Sequence, residues 1–444
     1  MRRLETQLPI VGDQTTSSFR MDVPETRVPE KTGASSPLHI AFVTMADLPE
    51  GGGNTARLKM LATAVAACGH RVSLLNEHRL GIAPPELLKA SGYMGPIEYH
   101  YVRRSIERQF GWKSVPGKLA AVLSLARTIV HRYRAQQIDV LWFNSLSFYD
   151  TWPLTKIAQR LGIPTIQSYE DERKELLTHE RSLRSTVLAL NARMADRFCP
   201  RLASAIIVIS EYLKKKYSDC ADQSRTYLIP TIVDCHYWSV GQEPKTDPPK
   251  LLYAGCFGEQ DEIENLLDAL VLLKRRGRRF RAAFLGSNRD LNRVADVRSG
   301  IEARDLKVVV EMKGFQAVDT VRRHIAESNL LLNIRRDGIW SRSGLSTKLS
   351  EYLASGRAVV CTALGDVPRY LEHGRSAIFV PPTATASEIA SAIDQALASP
   401  QLRRRIGEAG RDVARRYFDI AAVSEKLDLI LHSVLNVPGG GKGT

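Results

Sequence analysis

The sequence predicts an α/β protein of two doubly wound domains facing across a cleft, and three observations carry that prediction. The chain is 444 residues long, too long for one ordinary hydrophobic core. From residue 38 short apolar runs alternate with helical patterns, the signature of a parallel sheet buried on both faces. The rhythm breaks once, at the turn-rich stretch "PTIVDCHYWSVGQEPKTDPPK", and then restarts.

In the first half "LHIAFVTM" reads as a strand, "NTARLKMLATAVAACGH" as a helix ending near Gly69, and "RVSLLN" as the next strand. The strand "IDVLWFN", the helix through "PLTKIAQRLG" and the strands "IPTIQSY" and "ASAIIVIS" follow. The turn-rich stretch is expected to be a linker. Beyond it come "LLYAGCF", a helix across "IENLLDALVLLKRRG", and the strands "RAAFLGS", "KVVVEMKGF", "NLLLNIR", "RAVVCTA" and "SAIFVPP". The expected organisation is a disordered leader at 1–37, an N-terminal domain at 38–235 and a C-terminal domain at 236–418. A helix at 419–436 is expected to pack back on the N-terminal domain, ahead of a flexible tail at 437–444. Residues 1–37 carry charge but no apolar stretch of a secretory signal. No run of apolar residues is long enough to span a bilayer.

Hydrophobic residues make up 44% and charged residues 25% of the chain, the balance of a soluble globular protein. Six scattered cysteines form no C-x-x-C pair and no zinc-spaced cluster, so a reducing cytosol and no metal are expected. The 62 Lys and Arg against 48 Asp and Glu leave a net charge of +14, which calls for an acidic partner. No nucleic-acid-binding pattern accompanies that charge, so a phosphorylated substrate and an anionic membrane surface are the expected partners. The membrane expectation rests on residues 101–136. There Leu119, Val122, Leu123, Ala126, Ile129, Val130 and Tyr133 make a helical stripe, and Arg103, Arg104, Arg108 and Lys113 interleave with Phe110 and Trp112. A helix packed on a sheet would show the same stripe.

Ligands of doubly wound sheets bind outside the carboxyl ends of the strands, so the loops after residues 44, 255, 286, 314 and 335 are the places to search. "EGGGNTAR" follows the first strand; Gly51, Gly52 and Gly53 permit close backbone approach, Asn54 can cap the helix, and Arg57 sits in its first turn. In "SGLSTKLSEYLASGRAVV" Ser346 or Thr347 can cap a helix that Gly356 ends. Its free N–H groups and dipole would favour a phosphate, Lys348 adds charge, and Glu351 can accept from vicinal hydroxyls of a sugar. A surface Lys–Glu pair at i, i+3 is the plain alternative. Arg335, Arg336 and Arg342 precede this helix and suit a diphosphate. Asp171, in "SYEDERKE", lies just past a strand end and can face the cleft; an exposed acidic helix start is the plain alternative.

Taken in order, "GGGNTAR", "LLYAGCFGEQDEIENLLDAL", "KGF" and "STKLSEYLASGRAVVCTALGDVPRYLEHGRSAIFVPP" resemble family-4 glycosyltransferases from about residue 38 to 436. The resemblance implies the B-type fold of two Rossmann-like domains and a retaining transfer from a UDP- or GDP-sugar, a substrate rather than a cofactor, to a glycan or lipid-linked acceptor. Cell-surface polysaccharide biosynthesis at the cytoplasmic membrane face is the implied setting. Gly255, Phe257, Phe315, Arg335, Arg336, Ser346, Thr347, Lys348 and Glu351 would then bind the donor, with Lys348, Glu351 and Arg342 catalytic and no metal. Gly51, Gly52, Gly53, Asn54, Arg57, Asn144 and Asp171 would line the acceptor side. The chain departs from the family at two places: the first glutamate of the Glu-x7-Glu pair falls on Ser343, the second being Glu351, and the diphosphate-clamping arginine and lysine after the glycine of "LLYAG" are replaced by Cys256 and Asp261. A nucleotide-sugar epimerase or a non-catalytic binding subunit of the same fold is the competing implication.

Overall fold

A computed structural model describes residues 36–77, 88–103, 114–144, 147–172, 183–286 and 291–435. The expected leader and tail lie outside these residues, apart from the leader's last two and the short loop from 36, and so do Arg104, Arg108, Phe110, Trp112 and Lys113.

The first half contains the strands β1 (His39–Thr44), β2 (Arg71–Asn76), β3 (Ser91–Met94), β4 (Ile97–Tyr101), β5 (Val140–Asn144), β6 (Thr165–Tyr169), β7 (Ala205–Val208) and β8 (Thr226–Leu228). Its helices are α1 (Gly53–Ala67), α2 (Ser114–Arg134), α3 (Phe148–Leu161), α4 (Leu183–Leu202) and α5 (Glu211–Ser218), and the short α6 (Cys235–Trp238) follows. The sheet order is β3-β4-β2-β1-β5-β6-β7-β8. All pairs are parallel except the β3–β4 hairpin at the edge, which the sequence pattern did not reveal. Strand periodicity divides the packing. Ile40 and Phe42 of β1 pack with Leu58 and Leu61 of α1, whereas Ala41 and Val43 pack with Leu125 and Ile129 of α2 and Leu154 of α3.

The second half contains β9 (Lys250–Gly255), β10 (Arg281–Gly286), β11 (Val310–Gly314), β12 (Leu330–Asn333), β13 (Ala358–Thr362) and β14 (Ile378–Val380). Its helices are α7 (Ile263–Arg275), α8 (Leu291–Ala303), α9 (Val318–Ala326), α10 (Ile339–Ser343), α11 (Thr347–Ser355), α12 (Val367–Tyr370), α13 (Ala386–Ala398) and α14 (Pro400–Tyr417). The parallel sheet order is β11-β10-β9-β12-β13-β14. The last helix, α15 (Ile420–Leu435), returns to the first half, where Leu427 and Leu431 join the core of β1 and α1.

Two expectations need correction. The turn-rich stretch is not a free linker: Cys235, Trp238 and Val240 are buried in a core with Leu349 and Tyr352 of α11, and Val233 N–H donates to Phe418 O at 2.8 Å. A boundary at 235/236 therefore cuts a packed helix. The expected stripe of α2 also divides. Val122 and Ile129 are buried beside Leu125, while Leu119, Leu123 and Tyr133 stand exposed.

Candidate functional site

Sheet order reverses between β1 and β5 in the first half and between β9 and β12 in the second, and crevices form at such switch points. The halves meet beside both. Glu172 N–H donates to Ser343 Oγ at 3.2 Å, Ser210 Oγ donates to Ser343 O, and Glu211 N–H donates to Asp366 Oδ2 at 2.9 Å. Gly344 is held so close to the first half that a Cβ there would lie 3.6 Å from Glu170 O and 3.7 Å from Asp171 Oδ1. The expected acceptor residue Asp171 thus abuts the loop that opens α11.

On the second wall Ser346 is the N-cap of α11, with extended backbone and no side-chain cap hydrogen bond. The helix end therefore keeps its positive dipole uncapped by any side chain. Thr347 and Lys348 form its first turn and Glu351 follows one turn on. Burial pushes the Glu351 carboxyl up to about 7, and Lys348 pulls it back. Neither side chain makes a hydrogen bond or ion pair among the described residues. Phe315 presents its ring at the end of β11, 75% exposed.

The arginines of this wall differ. Arg336 is held by Glu262, Nε to Oε2 3.0 Å, and Arg342 by Asp337 through a fork of 2.7 and 2.6 Å. Both arginines stay exposed while paired, Arg336 at 54% and Arg342 at 60% of the side chain. Arg335 pairs in a β-bridge with Asp261, and its Nε is buried without a partner beside a cavity of about 110 Å³ lined also by Asn265, Thr362 and Pro381. Phe257 is a further correction. Its ring is buried and stacks on Tyr253 with centroids 5.7 Å apart, so it faces the core. Gly255 leaves no room for a side chain: a Cβ there would sit 1.8 Å from the Tyr253 hydroxyl oxygen. In the same loop Asp261 Oδ2 accepts from Gly258 N–H at 3.2 Å, and Gln260 Nε2 donates to Cys256 Sγ at 2.9 Å.

On the first wall α1 starts at Gly53 with Gly52 as N-cap; Asn54 sits inside the first turn, which corrects its expected capping role. Gly51 leaves no room for a side chain, since a Cβ would lie 2.1 Å from Thr55 Oγ1. Arg57 does not reach for a substrate. It is buried, donating to Pro230 O at 2.9 Å and Ile229 O at 3.1 Å, with Nε 3.1 Å from Glu170 Oε1. Asn144 Nδ2 donates to the same Glu170 oxygen at 3.1 Å. Burial raises the Glu170 carboxyl above its ordinary range while Arg57 pulls it back. Sequence reasoning missed Glu170, although its place just past β6 marked it as plainly as it marked Asp171.

Among the described residues one set of metal-type side chains gathers, His70, Asp428 and His432, away from both walls. Leu38 N–H donates to His70 Nδ1 at 3.2 Å, so the neutral ring carries its proton on Nε2 and donates to Asp428 Oδ1 at 3.1 Å. That tautomer leaves no lone pair for a metal, and the trio fastens α15 to the first half.

Residues 52–231 match the family model Glycosyl transferase 4-like domain, and residues 238–413 match Glycosyl transferases group 1. An alpha-D-kanosaminyltransferase of Streptomyces kanamyceticus is 23% identical over 279 residues, 60% of this chain and 70% of that protein. The fold is similar to that of a sucrose-phosphate synthase from Thermosynechococcus elongatus, with a TM-score of 0.68 at 16% identity over 89% of this chain and 98% of that one. It is also similar to Anabaena HepE in complex with UDP and glucose, with a TM-score of 0.64 at 16% identity over 90% and 100%.

Proposed function

The chain belongs to the glycosyltransferases that join a 4-like domain to a group 1 domain and use nucleotide-sugar donors, and we propose that it transfers a hexose from a UDP- or GDP-sugar with retention of anomeric configuration. The observation that carries the reading is the first turns of α11, where Lys348 and Glu351 have no bonding partner among the described residues while Arg57, Arg336 and Arg342 are ion-paired. Lys348 and the α11 amides take the diphosphate, and the Glu351 carboxylate accepts from the ribose hydroxyls.

In the transfer the acceptor oxygen bonds to the anomeric carbon on the face from which the phosphate oxygen leaves. The electron pair of the breaking bond departs with the diphosphate, and the acceptor proton passes to a phosphate oxygen. Preorganised charge at the departing group supplies the stabilisation, so the reaction runs without a metal. The acceptor is a glycan or lipid-linked saccharide of cell-surface polysaccharide assembly, met at the cytoplasmic face of the membrane against Gly51–Gly53, Asn144 and Asp171.

The competing reading, a binding subunit or epimerase of the same fold, draws on the loop after β9, where Cys256 and Asp261 offer no cation. Proton NMR of a turnover mixture separates them. Retention gives product with the donor's anomeric coupling, an inverted coupling overturns the mechanism, and an epimerised donor without transfer favours the alternative.

A further inference from the structure

The helices α3 and α4 connect neighbouring parallel strands and α2 connects β4 to β5, two parallel strands with β2 and β1 between them, so all three run antiparallel to the strands and begin at the cleft end of the sheet. Of the fourteen large apolar side chains that stand exposed among the described residues, eight lie on these three helices, which singles out the layer. On α2 the exposed line runs Leu119, Leu123, Arg127, and on α4 it runs Val187, Leu190, Arg193, Arg197, each at three- and four-residue spacing. Both lines are apolar towards the cleft end and basic further back.

Acidic charge is nearly absent from the layer. α2 contains no Asp or Glu. The one acid of α3, Asp150, is buried, and the one acid of α4, Asp196, is held by Lys216 at 2.6 Å and Tyr217 at 2.9 Å. We propose that the cleft-end tips of α2 and α4 dock into an anionic lipid bilayer, with Leu119, Leu123, Val187 and Leu190 among the acyl chains and the arginines at the headgroups, so that the acceptor crevice opens towards the membrane. Four residues separate Leu123 from Arg127 and seven separate Leu190 from Arg197, about 6 and 10 Å along the helices. That matches an apolar burial of about 5–10 Å beneath a charged layer. The surface deepens the lipid-linked acceptor reading above. It differs from the basic segment before Pro116, because α4 adds half of it and only the fold brings the two helices into one layer.

Co-sedimentation with vesicles of phosphatidylcholine, alone or mixed with phosphatidylglycerol, tests it. The wild type is expected to bind the anionic vesicles, less so at high salt. Leu119→Glu/Leu123→Glu and Val187→Glu/Leu190→Glu are each expected to weaken binding about tenfold or more, with melting unchanged because the side chains are already exposed. Arg127→Glu/Arg193→Glu/Arg197→Glu is expected to remove the salt-sensitive part. Val308→Glu, on the far half and 78% exposed, is expected to bind as wild type, and so is Glu351→Ala, which separates this surface from the donor site. Absence of wild-type binding, or wild-type binding by both apolar variants, overturns the proposal. So does competition by random oligonucleotides that only the charge reversals relieve, which would mark a nucleic-acid surface.

Discussion

Ser343 Oγ accepts the backbone N–H of Glu172 at 3.2 Å, which ties the loop before α11 to the wall that carries Glu170 and Asp171. The family resemblance puts a glutamate at this position. Here the site is fully buried, so a carboxylate would lie in a space already filled by the other half of the molecule.

Ser343→Glu is therefore expected to destabilise rather than to restore a catalytic group, because a buried charge without a partner is among the costlier substitutions. Ser343→Ala removes the hydroxyl that accepts from Glu172 N–H and is expected to cost about 1–3 kcal/mol. Thermal melting of both variants checks the order. A glutamate variant that melts as wild type and turns over faster would contradict it.

Arg57→Ala is expected to act on stability. It strands the Glu170 carboxylate and two carbonyl oxygens, and breaking a buried pair from one side costs about 3–5 kcal/mol. Urea denaturation reads this directly. A stable Arg57→Ala protein with a raised acceptor KM would return the residue to the substrate.

Glu351 gives a pH signature. Its folded carboxyl lies near 7, above the ordinary 4.5, chiefly through burial. The folded state therefore holds a proton that the unfolded chain has released between those values. The contribution of Glu351 to the stability of the free protein is expected to be fully present below about pH 4.5 and to be lost as pH rises towards 7. Donor affinity should run the other way, rising through pH 7 as the carboxylate forms. Glu351→Gln is expected to flatten both profiles, measured by melting and by isothermal titration.

His70 acts with the opposite sign. Burial holds its folded pKa below 6.5, and the acceptor role of Nδ1 towards Leu38 N–H needs the neutral ring. Its contribution is present above about pH 6.5 and is lost as pH falls through the lowered value. The protection of the α15 amides, after correction for the pH dependence of intrinsic exchange, is expected to fall on acidification, and to do so less in His70→Asn.

Much of this was legible in the sequence because parallel strands covered on both faces are continuous apolar runs, as in "IDVLWFN" and "RAVVCTA". Gly356 at φ 74° ends α11, and the glycine itself signalled that stop. The β3–β4 hairpin was not legible, since "SGYMGPIEYHY" alternates too weakly. The fates of the arginines were hidden for another reason. Arg57, Arg336 and Arg342 meet partners 113, 74 and 5 residues away, and spacing alone cannot distinguish a waiting cation from a paired one. Glu170 was missed because Arg57 and Asn144 reach it only in the folded sheet.

The most direct test of the central claim is calorimetric titration of UDP, GDP and their hexose conjugates into wild type, Lys348→Ala and Glu351→Ala. One nucleotide is expected to bind the wild type. Each variant should lose about 1.5–3 kcal/mol, roughly tenfold or more in affinity, while remaining folded. Unchanged affinity in both folded variants would contradict the assignment of the donor to the first turns of α11.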